Sequence, residues 1–157
     1  MGKIKSKKDN NIVSAKDIKY RCQFSEKHDT ILFSFKYMTN QKNYNLSRFK
    51  NSSNLRNDIL ILNEFHECLN FMSIGGWEQL RTKNKNQGGR ELMEYSQIYF
   101  SAYDPNNELK LTKDSKCIVI RFGGNKYRLI GYRSKLCSSI FHIIGFDFAY
   151  NAYNHGS

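Results

Sequence analysis

The last third of the chain leaves the fewest folding options. Residues 117–122 read Cys-Ile-Val-Ile-Arg-Phe, Gly123-Gly124-Asn125 follows, and residues 126–133 resume with Tyr127, Leu129, Ile130 and Tyr132. β-Branched and aromatic side chains suit a pleated, half-buried surface, and Gly and Asn reach the positive φ angles of a tight turn. A hairpin is therefore predicted. A connection over residues 134–139 leads to a third apolar run at 140–148, which completes a three-stranded antiparallel meander.

Upstream the hydrophobic period changes. Leu55, Ile59, Leu62, Phe65, Leu69 and Met72 recur at steps of three and four, the stripe of an amphipathic helix, with Asn54 or Asn57 as its cap. Ser73 is read as the cap of a second, short helix with Trp77 and Leu80 inward, so that a helical hairpin turns at residues 72–76. Residues 30–38 alternate around Phe33, Phe35 and Tyr37 and predict the first core strand, after an extended stretch at 18–24. Residues 39–54 and 83–91 read as loops, 95–103 as a further strand, and Asp104-Pro105-Asn106-Asn107 as a turn. The expected fold is α+β: an N-terminal strand, a two-helix hairpin, then the meander, all strands in one sheet. Residues 1–15 are expected to be a flexible basic tail and residues 16–157 a single domain.

Charge bears on partners. The chain has 25 Lys and Arg against 14 Asp and Glu, a net +11, which favours polyanions and nucleic acid first. No apolar run approaches the roughly 18–20 residues of a membrane span, and no apolar signal core follows the basic start, so a cytoplasmic location without membrane partners is expected. Cys22, Cys68, Cys117 and Cys137 are scattered among apolar and aromatic neighbours and are expected to be buried free thiols. No spacing of His, Cys or carboxylates reads as a metal site, and no cofactor is expected.

Residues 117–130, Cys-Ile-Val-Ile-Arg-Phe-Gly-Gly-Asn-Lys-Tyr-Arg-Leu-Ile, together with the later Ile144-Gly145 pair and Tyr153 eight residues beyond it, resemble the RelE/ParE-like toxins of toxin–antitoxin pairs, and within them the RelE-type mRNA interferases. The resemblance covers roughly the last forty residues and extends to the helices in outline. It implies metal-independent cleavage of mRNA on the ribosome by attack of a ribose 2′-hydroxyl on the adjacent phosphate, with a cognate antitoxin as protein partner. It also implies that Arg128 stabilises the phosphate, that Arg121 is one of the basic strand residues, and that Tyr153 is the terminal tyrosine proposed as a base. Two positions depart from the family: Val119 and Asp147 stand where further cations are expected.

Such a reaction needs a base for the 2′-hydroxyl, positive charge at the phosphate and a proton for the leaving 5′-oxygen. Arginine binds phosphate through paired hydrogen bonds and stays charged. Histidine as a residue type carries protons near neutral pH, so His155 or His142 can act as acid or base; His155 is the better proton carrier, with Tyr153 assisting it or stacking on a base. Whether Arg121 and Arg128 point the same way depends on hairpin register, which sequence leaves open. Asp147 can also pair with either arginine in a purely structural bridge. His142, between Phe141 and Ile143, reads as structural. Lys126, Arg133 and Lys135 around the second meander strand, and Lys83, Lys85 and Arg90 in the basic loop, are the candidate RNA contacts. Alternatives stay open: a gyrase-poisoning ParE-type relative, which the missing cations fit; a non-catalytic factor that binds nucleic acid or protein; and, last, a metal-dependent nuclease, for which no acidic pair of suitable spacing appears.

Overall fold

The computed structural model describes residues 29–51 and 53–156. The expected basic tail and the stretch at 18–24 lie outside the described residues. The architecture is α+β, one long helical segment against a five-stranded mixed sheet. The strands are β1 (Leu32–Ser34), β2 (Arg90–Glu94), β3 (Lys116–Phe122), β4 (Tyr127–Arg133) and β5 (Ile140–Asp147), in the order β1-β5-β4-β3-β2. β3, β4 and β5 pair antiparallel in succession, β2 joins β3 antiparallel, and β1 lies parallel to β5. Gly123, Gly124 and Asn125 all have positive φ, which lets β3 fold back onto β4 within a few residues.

Helix α1 (Leu55–Thr82) starts at Asn54, whose side chain accepts from the Asn57 backbone N–H at 3.2 Å. Its inward stripe is Ile61, Phe65, Cys68 and Met72, whereas Leu55, Ile59 and Leu62 of the predicted stripe face solvent. Apolar residues occur on two sides of this helix, and the sheet takes the side whose 4-3-4 spacing runs through Cys68. The break falls at Gly76, not Ser73: φ is 65° there, and a Cβ at that site would lie 1.8 Å from the Asp29 carbonyl oxygen. Asp29 then caps the following turn, its carboxylate accepting from the Glu78 N–H at 2.6 Å. Trp77 and Leu80 are inward, as expected.

Two other expectations change. Residues 95–103 form a 3-10 turn and an irregular segment, while the strand in this region is β2, overlapping the expected basic loop. Only Leu92 and Met93 in β2 are apolar, so pairing with β3, not local pattern, makes it a strand. Cys68 and Cys117 are buried free thiols, but Cys137 is disulfide-bonded, contrary to the expectation of free thiols throughout. It lies half-buried in the β4–β5 connection beside exposed Leu136, outside the core that shields the other two.

The sheet carries a core on each face. Ile118, Ile120, Leu129, Phe141, Ile143 and Phe146 pack under α1. On the other face Cys117, Val119, Ile130, Tyr132 and Ile144 are covered by Tyr37, Ile98, Phe100 and the C-terminal segment around Ala152 and Tyr153. Central strands covered on both sides read as continuous apolar runs, which is what β3 and β5 show. No helix among the described residues is long and apolar enough to cross a membrane.

Candidate active site

The register settles the direction of the arginines. Arg121 stands opposite Arg128, and Arg128 opposite Asp147, so the three make one row across β3, β4 and β5. Directly opposed residues share a face. That face is the one covered by the C-terminal segment.

Asp147 organises that segment. It is fully buried, and its Oδ1 accepts the backbone N–H groups of Ala149 (3.3 Å) and Asn151 (2.9 Å). These bonds turn the chain sharply after β5 through Tyr150, at φ 61°, and bring it back over the sheet. Tyr153 then bridges to Ile98, and the Ala152 carbonyl accepts from the Tyr99 N–H at 2.8 Å. Gly145 makes room for Phe100, the neighbour of Tyr99: a Cβ there would lie 2.4 Å from Phe100 Cζ. The other Asp147 oxygen, Oδ2, lies 2.8 Å from His155 Nε2. The His155 ring is packed against Tyr150 (centroids 3.8 Å apart) and Tyr153 (4.0 Å), and little of it is exposed.

Arg128 is only 1% exposed. Its Nε donates to Tyr153 Oη (3.2 Å), one terminal nitrogen to the Asn125 carbonyl (2.6 Å) and the other to Tyr150 Oη (3.0 Å), with the guanidinium 4.4 Å from the Tyr150 ring centre. Among the described residues it forms no ion pair. Arg121 is different: its terminal nitrogens donate to Glu91 (3.0 Å) and Asn86 (2.8 Å), and its buried Nε has no hydrogen-bond partner among the described residues. Burial pushes the Glu91 carboxyl up, but hydrogen bonds from Arg121 and Lys85, with their charges, outweigh it and hold it below its ordinary value. Among the described residues, therefore, Arg121 has an ion-pair partner and Arg128 has none. A cation held by neutral groups in a water-poor site is a strong attractor for an anion.

Burial pushes the Tyr153 phenol above its ordinary value, and the hydrogen bond from Arg128 offsets this only in part. Tyr153 is thus a hydrogen-bond donor at neutral pH and a poor base. The two departures from the family pattern also find places. Val119 is a fully buried core residue under this face, and Asp147 holds His155 rather than either arginine.

The remaining candidates are spread out. Lys126 is in the turn before β4. Lys85 pairs with Glu91 at 3.2 Å, Lys83 sits over the Phe71 ring, and Arg90 opens β2. Arg133, at the far end of β4, lies over Trp77 and donates to the Ser138 carbonyl at 2.7 Å. Lys135 lines a separate cavity with Tyr37, Tyr132 and His142. Arg128, Tyr153 and His155 come together with Arg121 beside them, and Asp147 and Tyr150 join them. Sequence reasoning weighed Asp147 only as a partner for arginine and passed over Tyr150. No protein-family model, curated protein or solved structure matches the chain.

Proposed function

We propose that the chain is a metal-independent endoribonuclease of the RelE-like kind, a toxin that cuts mRNA on the ribosome and is held in check by an antitoxin. The observation that carries this reading is Arg128, a buried guanidinium with neutral partners, set beside a histidine anchored on a buried carboxylate. A scissile phosphate supplies the missing negative charge. Tyr150 is the part that gives way for it, since its ring covers the guanidinium yet is itself 55% exposed.

With Nε2 on Asp147, the other His155 nitrogen is left to take the proton of the ribose 2′-hydroxyl. The 2′-oxygen bonds to phosphorus, the bond from phosphorus to the 5′-oxygen breaks, and Tyr153 passes its phenolic proton to the leaving oxygen, the proton taken up by His155 being returned to the phenol through water. Arg128 stabilises the charge that builds on the phosphate. Asp147 acts through His155 by fixing its ring.

The test is induced expression of the wild type beside Arg128→Ala and His155→Ala, scoring growth and mapping new 5′ ends on cellular mRNA. Arrest with cuts in translated messages, lost in both variants, is expected. Intact RNA overturns the ribonuclease reading; arrest without cuts then points to gyrase, and normal growth to a binding role.

A further inference from the structure

Above His155 the surface forms a cleft of about 560 Å³, with Tyr99 on one part of its wall and Tyr150 on another, and Asn151, Tyr153 and Asn154 along it. We infer that this cleft is a stacking subsite for an unpaired nucleobase of single-stranded RNA, an inference that rests on the ribonuclease reading of the neighbouring residues.

Tyr99 and Tyr150 are 60% and 55% exposed, although the same stretch of chain buries Phe100, Ala152 and Tyr153. The Tyr150 ring packs on His155 and Arg128 over part of its surface, and the Tyr99 ring has no aromatic partner among the described residues, so both leave aromatic surface open beside a buried cation. The rings are also well rooted. Tyr99 is tied through its backbone N–H to the Ala152 carbonyl, and Phe100, the next residue, is clamped over Gly145. Tyr150 is held in a left-handed backbone conformation, uncommon for a residue with a side chain, by the two backbone bonds to Asp147 on either side of it. Tyr99, on a fixed backbone, loses little freedom when a ligand arrives, and Tyr150 has only to turn its ring off Arg128 while its backbone stays in place.

The occupant follows from the neighbours. The cleft adjoins Arg128, whose charge has no ion pair among the described residues, so the ligand has an anion next to a flat apolar surface. A nucleotide meets both demands, because every base has a π-face and carries a phosphate one sugar away. The carboxamides of Asn151 and Asn154 add donors and acceptors suited to a base edge. A base inside a duplex presents only its edge to a protein, so a stacking cleft selects single strands or bases splayed out of a stack. A nucleotide seated here puts its phosphate and 2′-hydroxyl next to Arg128 and His155.

The test uses fluorescence anisotropy with a labelled RNA hexamer whose 2′-hydroxyls are all O-methylated, so that binding is read without cleavage. Stacking on one aromatic side chain changes binding by roughly five- to a hundredfold. Tyr99→Ala is expected to weaken binding within that range, Tyr99→Phe to remain within about twofold of wild type, and a duplex of the same sequence to compete poorly. Tyr99 is exposed, so circular dichroism should show the variants folded alike. Equal binding by wild type and Tyr99→Ala, or duplex bound as tightly as the single strand, overturns the subsite. Stacking-dependent binding by a protein that leaves cellular RNA intact keeps the subsite and removes the cleavage reading. Cleavage with binding indifferent to Tyr99 does the reverse.

Discussion

Arg128 and Asp147 stand directly opposite each other on β4 and β5, and each is bound to something else. The carboxylate holds the C-terminal turn and His155, and the guanidinium is held by two phenols and a carbonyl. A simple structural ion pair between them, one of the possibilities open from sequence, is not formed. The opposed charges are divided between two tasks.

Arg128→Met should separate function from stability. Removing the guanidinium takes away the cost of a buried charge without an ion pair among the described residues, but leaves the Asn125 carbonyl and two phenols without their donor, so the two effects partly offset. The variant is expected to melt within a few degrees of wild type, the shift that about 1 kcal/mol produces, while RNA cleavage falls by about a hundredfold or more. A melting point well below wild type would mark Arg128 as a structural strut.

The Asp147 pair of variants should divide along the same line. Asp147→Ala leaves two backbone N–H groups and His155 without their acceptor, at a cost of about 2–3 kcal/mol in chemical denaturation. Asp147→Asn keeps an oxygen for the backbone donors and should stay closer to wild type in stability. It nevertheless places an amide against His155 and should lower cleavage by about a hundredfold, measured on the same RNA.

His142 gives a pH signature of its own. Burial, and then the charge of Lys36, hold its imidazole below the ordinary value, with Glu108, Lys110 and Lys135 lining the same cavity. The folded protein therefore takes up this proton less readily than the unfolded chain. Stability from this group is fully present above about pH 6.5 and declines as the pH falls toward the lowered folded value. Urea midpoints at pH 7.5 and 5.0 should differ more for wild type than for His142→Asn; equal differences would remove His142 as the source.

The thiols should sort into two classes. Burial pushes Cys68 and Cys117 up to about 12, so both should resist alkylation in the native protein at pH 8 and react once it is unfolded. The peptide containing Cys137 should be alkylated only after reduction. Mass spectrometry of trypsin digests reads both, and labelling of Cys137 without reductant would contradict the disulfide.

The meander was legible because β3, β4 and β5 combine strand-forming runs with a turn whose residues tolerate positive φ. The helix was legible and so was the inward end of its stripe at Phe65 and Met72, but Leu55, Ile59 and Leu62 compete on equal terms with Ile61 and Cys68 until a sheet chooses between them. β2 was missed because an edge strand with two apolar residues draws its structure from its neighbour. Arg128, Tyr153 and His155 were readable as candidates by residue type and resemblance. Their assembly was not, since it depends on the hairpin register and on the fold-back after Asp147. Tyr99 and Tyr150 carried no signal at all, because an exposed tyrosine in a polar segment looks ordinary until a cleft places it beside another.

The parallel pairing of β1 with β5 joins segments roughly a hundred residues apart in the chain, and loop-closure entropy for such a length grows only logarithmically. Its equilibrium cost is modest, but its kinetic weight is large, because non-local pairings are the slow ones. The row of Arg121, Arg128 and Asp147 and the turn behind it need only local closures. Amide exchange during refolding is therefore expected to protect β3, β4 and β5 before Leu32–Ser34, so that the row of Arg121, Arg128 and Asp147 matures ahead of the sheet's far edge.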